Sequence, residues 1–150
     1  MIDWTHIMLH HSLTKDGATV SWGAIRKYHT DPAGPYKMKD IGYHYGIELV
    51  GDRHEILAGR VLTETGAHCY QVGMNSKAIG ICLVGNFDEE VPCEGLLHQA
   101  ARLVKMLMEI FKIPVENVVA HRDYAPKSCP GKLFDMDKFR ARVAGTEAIK

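Results

Sequence analysis

The chain carries no net charge: eighteen lysines and arginines balance eighteen aspartates and glutamates. Without a basic excess, nothing recruits nucleic acid or an anionic membrane through charge. No apolar run approaches the roughly 20 residues that cross a bilayer. The first residues, Met1-Ile2-Asp3-Trp4, have an early acid and no basic stretch, and the apolar segment Ile7 to Leu9 is too short for a signal-peptide core. Cysteine is scarce as well. Four in 150 residues, with no signal segment, do not make a disulfide framework. The expectation is a chain made and held in a reducing cytoplasm, with neither nucleic acid nor membrane as partner. There is no internal repeat, low-complexity tract or linker, so residues 1–150 are read as a single domain of a length that supports one core.

What remains is a globular composition, 46% apolar and 24% charged, with nine histidines. That many imidazoles in a chain this size justify a search for metal or acid–base sites.

Strand and helix patterns alternate. His6 to His11 is a short apolar run of β character, ended by Ser12 and the turn residues Asp16-Gly17. Ser21 is placed to cap a helix through Ala24, Ile25, Tyr28 and His29, which Asp31-Pro32-Ala33-Gly34-Pro35 then breaks. Tyr43 to Val50 and His54 to Ala58 read as a hairpin turning at Gly51-Asp52, and Ile79 to Val84 as a strand covered on both faces. From Glu94 to Lys112, Leu97, Ala100, Ala101, Val104, Leu107, Met108 and Phe111 form one helical stripe. Met106 and Met108 fit as core and flank. Pro114 stops that helix, Val115 to Ala120 reads as a further strand, and Met136 to Val143 as a last helix. The fold class expected is α/β: a mixed central β-sheet flanked by helices.

The most informative stretch is Ala120-His121-Arg122-Asp123-Tyr124-Ala125-Pro126-Lys127-Ser128-Cys129-Pro130. It brings an imidazole, an ammonium and a thiol together on a segment that two prolines hold out of helix. If extended, it points Lys127 and Cys129 to the same side. A rigid loop that aims a soft ligand and a cation at one spot suits a metal-assisted reaction. A surface loop with an incidental cysteine stands beside that reading. Of the other cysteines, Cys82 reads as a small buried hydrophobe, and Cys69 and Cys93 have no partner at metal-ligand spacing.

Four separated blocks resemble the type 2 N-acetylmuramoyl-L-alanine amidases, a zinc family that includes phage amidase-type lysozymes and animal peptidoglycan recognition proteins. They are Ile7-Met8-Leu9-His10-His11-Ser12, Asp40-Ile41-Gly42-Tyr43-His44-Tyr45, Gly66-Ala67-His68 with Ile79 to Phe87, and His121 through Pro130. The blocks come in the family's order and span about His6 to Asp135. The resemblance implies His10, His121 and Cys129 as zinc ligands, Tyr43 and Lys127 as catalytic groups, and His68 near the substrate. It also implies cleavage between the lactyl group of N-acetylmuramic acid and the L-alanine of the stem peptide. Peptidoglycan or a muropeptide is then the partner. The residues themselves set no oligomeric state, and a monomer is taken as the favoured one. Tyr28-His29 departs from the usual Trp-His, which leaves the detail of the substrate groove open.

The chemistry agrees with that assignment. A catalytic zinc keeps three protein ligands and one open position, and mixed nitrogen–sulfur sets suit this borderline ion. With one thiolate on the ion a net positive charge remains, which activates water and polarises an amide carbonyl. Lys127 and Tyr43 offer donors to the developing oxyanion. His11 and His98 are read as hydrogen-bonded core residues, His54 as a solvated hairpin position, and His44 as a core hydrogen bond on the face opposite Tyr43.

Two rival classes remain beside the enzyme. A recognition domain that holds muropeptides without cutting them is disfavoured by Cys129 together with Lys127. A structural zinc domain needs a fourth ligand that the sequence does not offer. Within the enzyme reading, a phage or prophage lysis protein and a cytoplasmic muropeptide-recycling amidase both fit.

Overall fold

Residues 1–14 and 21–145 are described in the computed structural model. Strands β1 (His6–His11), β2 (Tyr45–Val50), β3 (Arg53–Ala58), β4 (Ala78–Leu83) and β5 (Val118–Ala120) form one sheet in the order β3-β2-β4-β1-β5. β1 runs parallel to β4 and β5, β2 runs parallel to β4, and β3 closes the edge antiparallel to β2. The sheet is therefore mixed, as the alternation of elements suggests. The turn expected at Asp16-Gly17 lies outside the described residues. Among the described residues no helix is long and apolar enough to cross a membrane.

Strand alternation sends successive side chains to opposite faces. Ile7, Leu9, Ile47, Ile79, Ile81, Leu83, Val118 and Ala120 fill one face, packed with side chains of helices α2 (Glu94–Phe111) and α3 (Met136–Ala144). Met8, His10, Gly80, Cys82, Gly46, Glu48 and Val119 fall on the other. There helix α1 (Trp22–Thr30) packs Trp22 and Ile25 against Ile41, Cys82 and Val84. The Ser21 hydroxyl caps α1 as its sequence suggests, accepting the Ala24 N–H. Buried Glu48 adds an acceptor for the Trp22 N–H. A carboxylate at a helix N-terminus satisfies an orphan donor and favours the helix dipole.

Several boundaries differ from the sequence reading. β2 begins at Tyr45, because Tyr43 and His44 precede the regular ladder, although the His44 N–H still donates to the Gly80 carbonyl and the His44 carbonyl accepts from Gly59. Only Val118–Ala120 is strand. The preceding Val115–Asn117 closes a 3-10 turn on Pro114, pinned by the Asn117 amide donating to the Thr5 carbonyl. The end of α2 is as expected: the helix is capped by Lys112 in the left-handed conformation, two residues before Pro114. Its buried face centres on Leu96, Ala100, Leu103, Val104 and Leu107, while Leu97, Met108 and Phe111 are only partly covered. The helix packs on β2 and β3 and is flanked by α3, which widens the buried arc beyond one stripe. Met106 and His98 lie exposed on the outer side, so His98 is not the core residue expected.

Candidate metal centre

The parallel pairing of β1 with β5 builds the site. Leu9 pairs with Ala120, so the next residues, His10 within β1 and His121 just past β5, stand side by side with ring centroids 4.5 Å apart. His121 opens a 3-10 turn, His121–Asp123, and the chain bends back to bring Cys129 over them. One ligand atom from each of His10, His121 and Cys129 lies within 4.8 Å of the other two, and all three residues are buried. Cys129 Sγ accepts the His11 N–H at 3.3 Å and stands 3.7 Å from His10 Nδ1.

The loop that carries Cys129 is bent rather than extended, and side chains hold it. The Arg122 N–H donates to the Cys129 carbonyl at 2.8 Å, and its guanidinium donates to the Gly131 and Phe134 carbonyls at 2.7 and 2.9 Å. Asp88 accepts the Ser128 hydroxyl and the Lys132 N–H, each at 2.8 Å. These bonds aim the thiol and keep Lys127 on the same cleft, although the geometry is not the extended one expected.

Burial sets the protonation of the three groups. It holds His10 well below the usual histidine range, with neighbouring His68 and His121 adding to the effect. It brings His121 down to about 4, helped by the Lys127 charge. It pushes the Cys129 thiol up to about 11, against the opposing pull of the His11 N–H and Lys127. The protein thus presents two neutral imidazoles, the form that ligates, and a thiol that must yield a proton to a metal. Two nitrogens and a sulfur suit zinc, and among the described residues no fourth histidine, cysteine or carboxylate joins the group.

A cleft of about 500 Å³ opens over the cluster, lined also by Tyr43, Lys127, His29, His68 and Asp88. A second groove of about 500 Å³ shares His68, His121 and Lys127 and continues past Tyr70, Gln71 and Asn75. Tyr43 packs beside His10, ring centroids 5.2 Å apart, and burial holds its phenol well above the usual tyrosine range, so it stays a donor. Lys127 is exposed at the cleft. His68 reaches the cleft wall with both ring nitrogens engaged, Nδ1 2.9 Å from His10 Nε2 and Nε2 3.0 Å from the Ala78 carbonyl. His29 lines the cleft and accepts the Gly42 N–H at Nδ1, whereas Tyr28 is exposed and packs edge-on against Tyr36. His11 and His44 make the core hydrogen bonds expected of them, accepting from Phe87 and Gly80.

The N-acetylmuramoyl-L-alanine amidase family model matches residues 2–132. The chain belongs to this amidase family. Among its relatives, the endolysin of Klebsiella phage KP32 is 32% identical over 138 residues, 90% of this chain and 84% of that one. The amidase LysC of Clostridium intestinale superposes with a TM-score of 0.80 at 26% identity, covering 95% of this chain and 87% of that one. A Drosophila PGRP-LB variant in complex with tracheal cytotoxin gives 0.71 at 26% identity, covering 89% and 79%. The chemistry of the family is amide hydrolysis in peptidoglycan.

Two supports of the amidase site carry no local sequence signal. Buried Arg60 donates to the Ile41, Thr65 and Asp40 carbonyls, which fixes the segment leading into Tyr43. Asn75 Oδ1 accepts the N–H groups of His68 and Cys69 at 2.7 Å each. In both cases the partners are mostly backbone groups brought in by the fold.

The buried imidazoles should make the metal-free amidase acid-labile. Burial brings His68 to about 3 and His121 to about 4, against about 6.5 in an unfolded chain. Between pH 6.5 and about 4 the unfolded state therefore binds more protons, and stability falls as pH falls. It is fully retained above pH 6.5 and declines by up to about 1.4 kcal/mol per pH unit for each histidine below it. Asp40 and Asp88 are held below the usual carboxylate range, so their loss comes at lower pH. Urea unfolding of metal-free protein should show a lower midpoint at pH 5 than at pH 7; equal midpoints would mean that these rings are not buried neutral.

Proposed function

We propose that the chain is a zinc-dependent amidase that cuts between the lactyl group of N-acetylmuramic acid and L-alanine, acting as a phage or prophage lysis enzyme. The observation that carries the reading is the convergence of His10, His121 and Cys129 at the floor of a cleft that also holds Tyr43 and Lys127. Three ligands with an open side fit a catalytic ion better than a closed structural one.

His10 and His121 would hold the ion through neutral imidazoles and Cys129 through its thiolate. When bound, zinc supplies Lewis acidity, which lowers the pKa of a water and polarises the scissile carbonyl. Lys127 donates to the carbonyl oxygen as negative charge builds there, and the Tyr43 phenol, kept protonated by burial, is the second donor. The amine of the leaving stem peptide takes its proton from the site. Likeness to phage endolysins supports the lysis role, and in that role the protein would be made in the cytoplasm and act on the wall after release.

Purified protein should bind about one zinc, and thorough chelation should abolish cleavage of peptidoglycan. Because the packing of α2 and α3 against the sheet does not involve the cluster, the metal-free protein should keep its circular dichroism. Activity that survives chelation, verified by elemental analysis, would remove the metal mechanism. Global unfolding on chelation would make the site structural.

A further inference from the structure

The imidazole of His68 sits in a slot made for it. Its ring lies between Gly66 and Gly80, where an added Cβ would stand 2.4 and 2.5 Å from His68 Cδ2. Neither glycine has a positive φ, so these positions require the missing side chain rather than backbone freedom. Asn75 grips the backbone from both sides, its Oδ1 accepting from His68 and Cys69 and its carbonyl accepting the Gly66 N–H at 2.9 Å. A groove contact with substrate calls for no such enclosure, and no ring nitrogen is left to make one.

The partners dictate where the protons lie. The Ala78 carbonyl can only accept, so His68 carries its proton on Nε2 and presents a bare Nδ1. His10 Nε2, 2.9 Å away, must then donate. A neutral imidazole that donates from Nε2 has its lone pair on Nδ1, the nitrogen that stands 3.7 Å from Cys129 Sγ. We infer that His68 is a positioning residue: bridging the Ala78 carbonyl and His10, it fixes His10 as the Nε2–H tautomer and turns Nδ1 toward the metal position. The inference rests on the metal reading of the His10–His121–Cys129 cluster. Outer partners of this kind orient a ligand ring and raise its basicity, and their loss typically costs about 10- to 100-fold in metal affinity.

The direct test is nitrogen-15 NMR of the metal-free wild-type protein, without muropeptide. Expected is a coupling across the bond between His10 Nε2 and His68 Nδ1, with the proton on His10. A proton on His68 Nδ1, or His10 protonated at Nδ1, overturns the inference. This measurement depends on no variant folding. It also stands apart from the proposed activity: a protein that never cuts peptidoglycan would still show the coupling.

Zinc affinity supplies the second readout. His68→Ala should bind zinc about 10- to 100-fold more weakly. His68→Asn, whose Oδ1 branches from Cγ where Nδ1 does and can accept from His10, should recover most of that loss. If His68→Ala keeps wild-type zinc affinity and only raises KM, His68 is a substrate contact and the inference fails. Equal losses in the alanine and asparagine variants would also overturn it, since a general packing defect ignores the acceptor.

Discussion

Replacing Cys129 by serine should remove the metal and the activity together. The thiol is buried at 8% exposure, anchored by the His11 N–H, and aimed by a loop that Arg122 and Asp88 hold in place. The Arg122 and Asp88 contacts do not involve the sulfur, and a serine hydroxyl can accept the His11 N–H in its place, so the loop should keep its course in Cys129→Ser. What changes is the donor. Burial already holds the thiol at about 11, and a metal recovers that cost by binding a soft thiolate. A hydroxyl stays protonated throughout the neutral range and offers zinc a far poorer ligand. The expected fall in zinc affinity exceeds the roughly 10- to 100-fold typical of losing an outer partner. Turnover should drop to background with it. Elemental analysis after dialysis, beside a cleavage assay, measures both; a variant that retains one zinc and wild-type turnover would exclude Cys129 as a ligand.

Lys127→Ala should separate catalysis from metal binding. Lys127 is exposed at the cleft and ligates nothing, but its charge acts on His10, His121 and Cys129. Its removal should leave zinc content unchanged. Loss of one donor to a developing oxyanion typically lowers kcat by about 100- to 1000-fold. KM should move little, because that interaction is made chiefly in the transition state. Zinc content and steady-state kinetics decide the matter. If the variant loses zinc as readily as Cys129→Ser, Lys127 holds the loop rather than the oxyanion. If kcat is unchanged, the stabilisation belongs to Tyr43.

The cluster was legible in the sequence because its residues are locally marked. His10 directly follows the apolar run Ile7 to Leu9, and His121, Lys127 and Cys129 share one short segment that carries two prolines. The sheet was legible for a similar reason: β4 is a continuous apolar run and β1 a short one, so their pairing buries both. Boundaries failed where tertiary hydrogen bonds decide. Tyr43 and His44 keep ladder-like bonds outside the regular strand, and Asn117 holds a turn where apolar content alone suggested strand. The supports of the site were hidden more deeply. Arg60, Arg122 and Asn75 act mostly through backbone groups of other segments, and no spacing in the chain announces which carbonyl an arginine will meet. Gly66 and Gly80 read as family signature, yet their meaning is steric. Each leaves a space that the ring of His68 fills, just as Gly46 leaves room for the ring of Trp22.

Mass spectrometry of peptidoglycan digested by zinc-loaded and by metal-free protein tests the central claim most directly, because it identifies the bond cut. The zinc-loaded protein should release stem peptides with a free amino-terminal L-alanine and leave glycan strands whose lactyl groups end in a carboxylate, while the metal-free protein releases neither. Shortened glycan strands, cleavage within the stem peptide, or the same products without metal would contradict it.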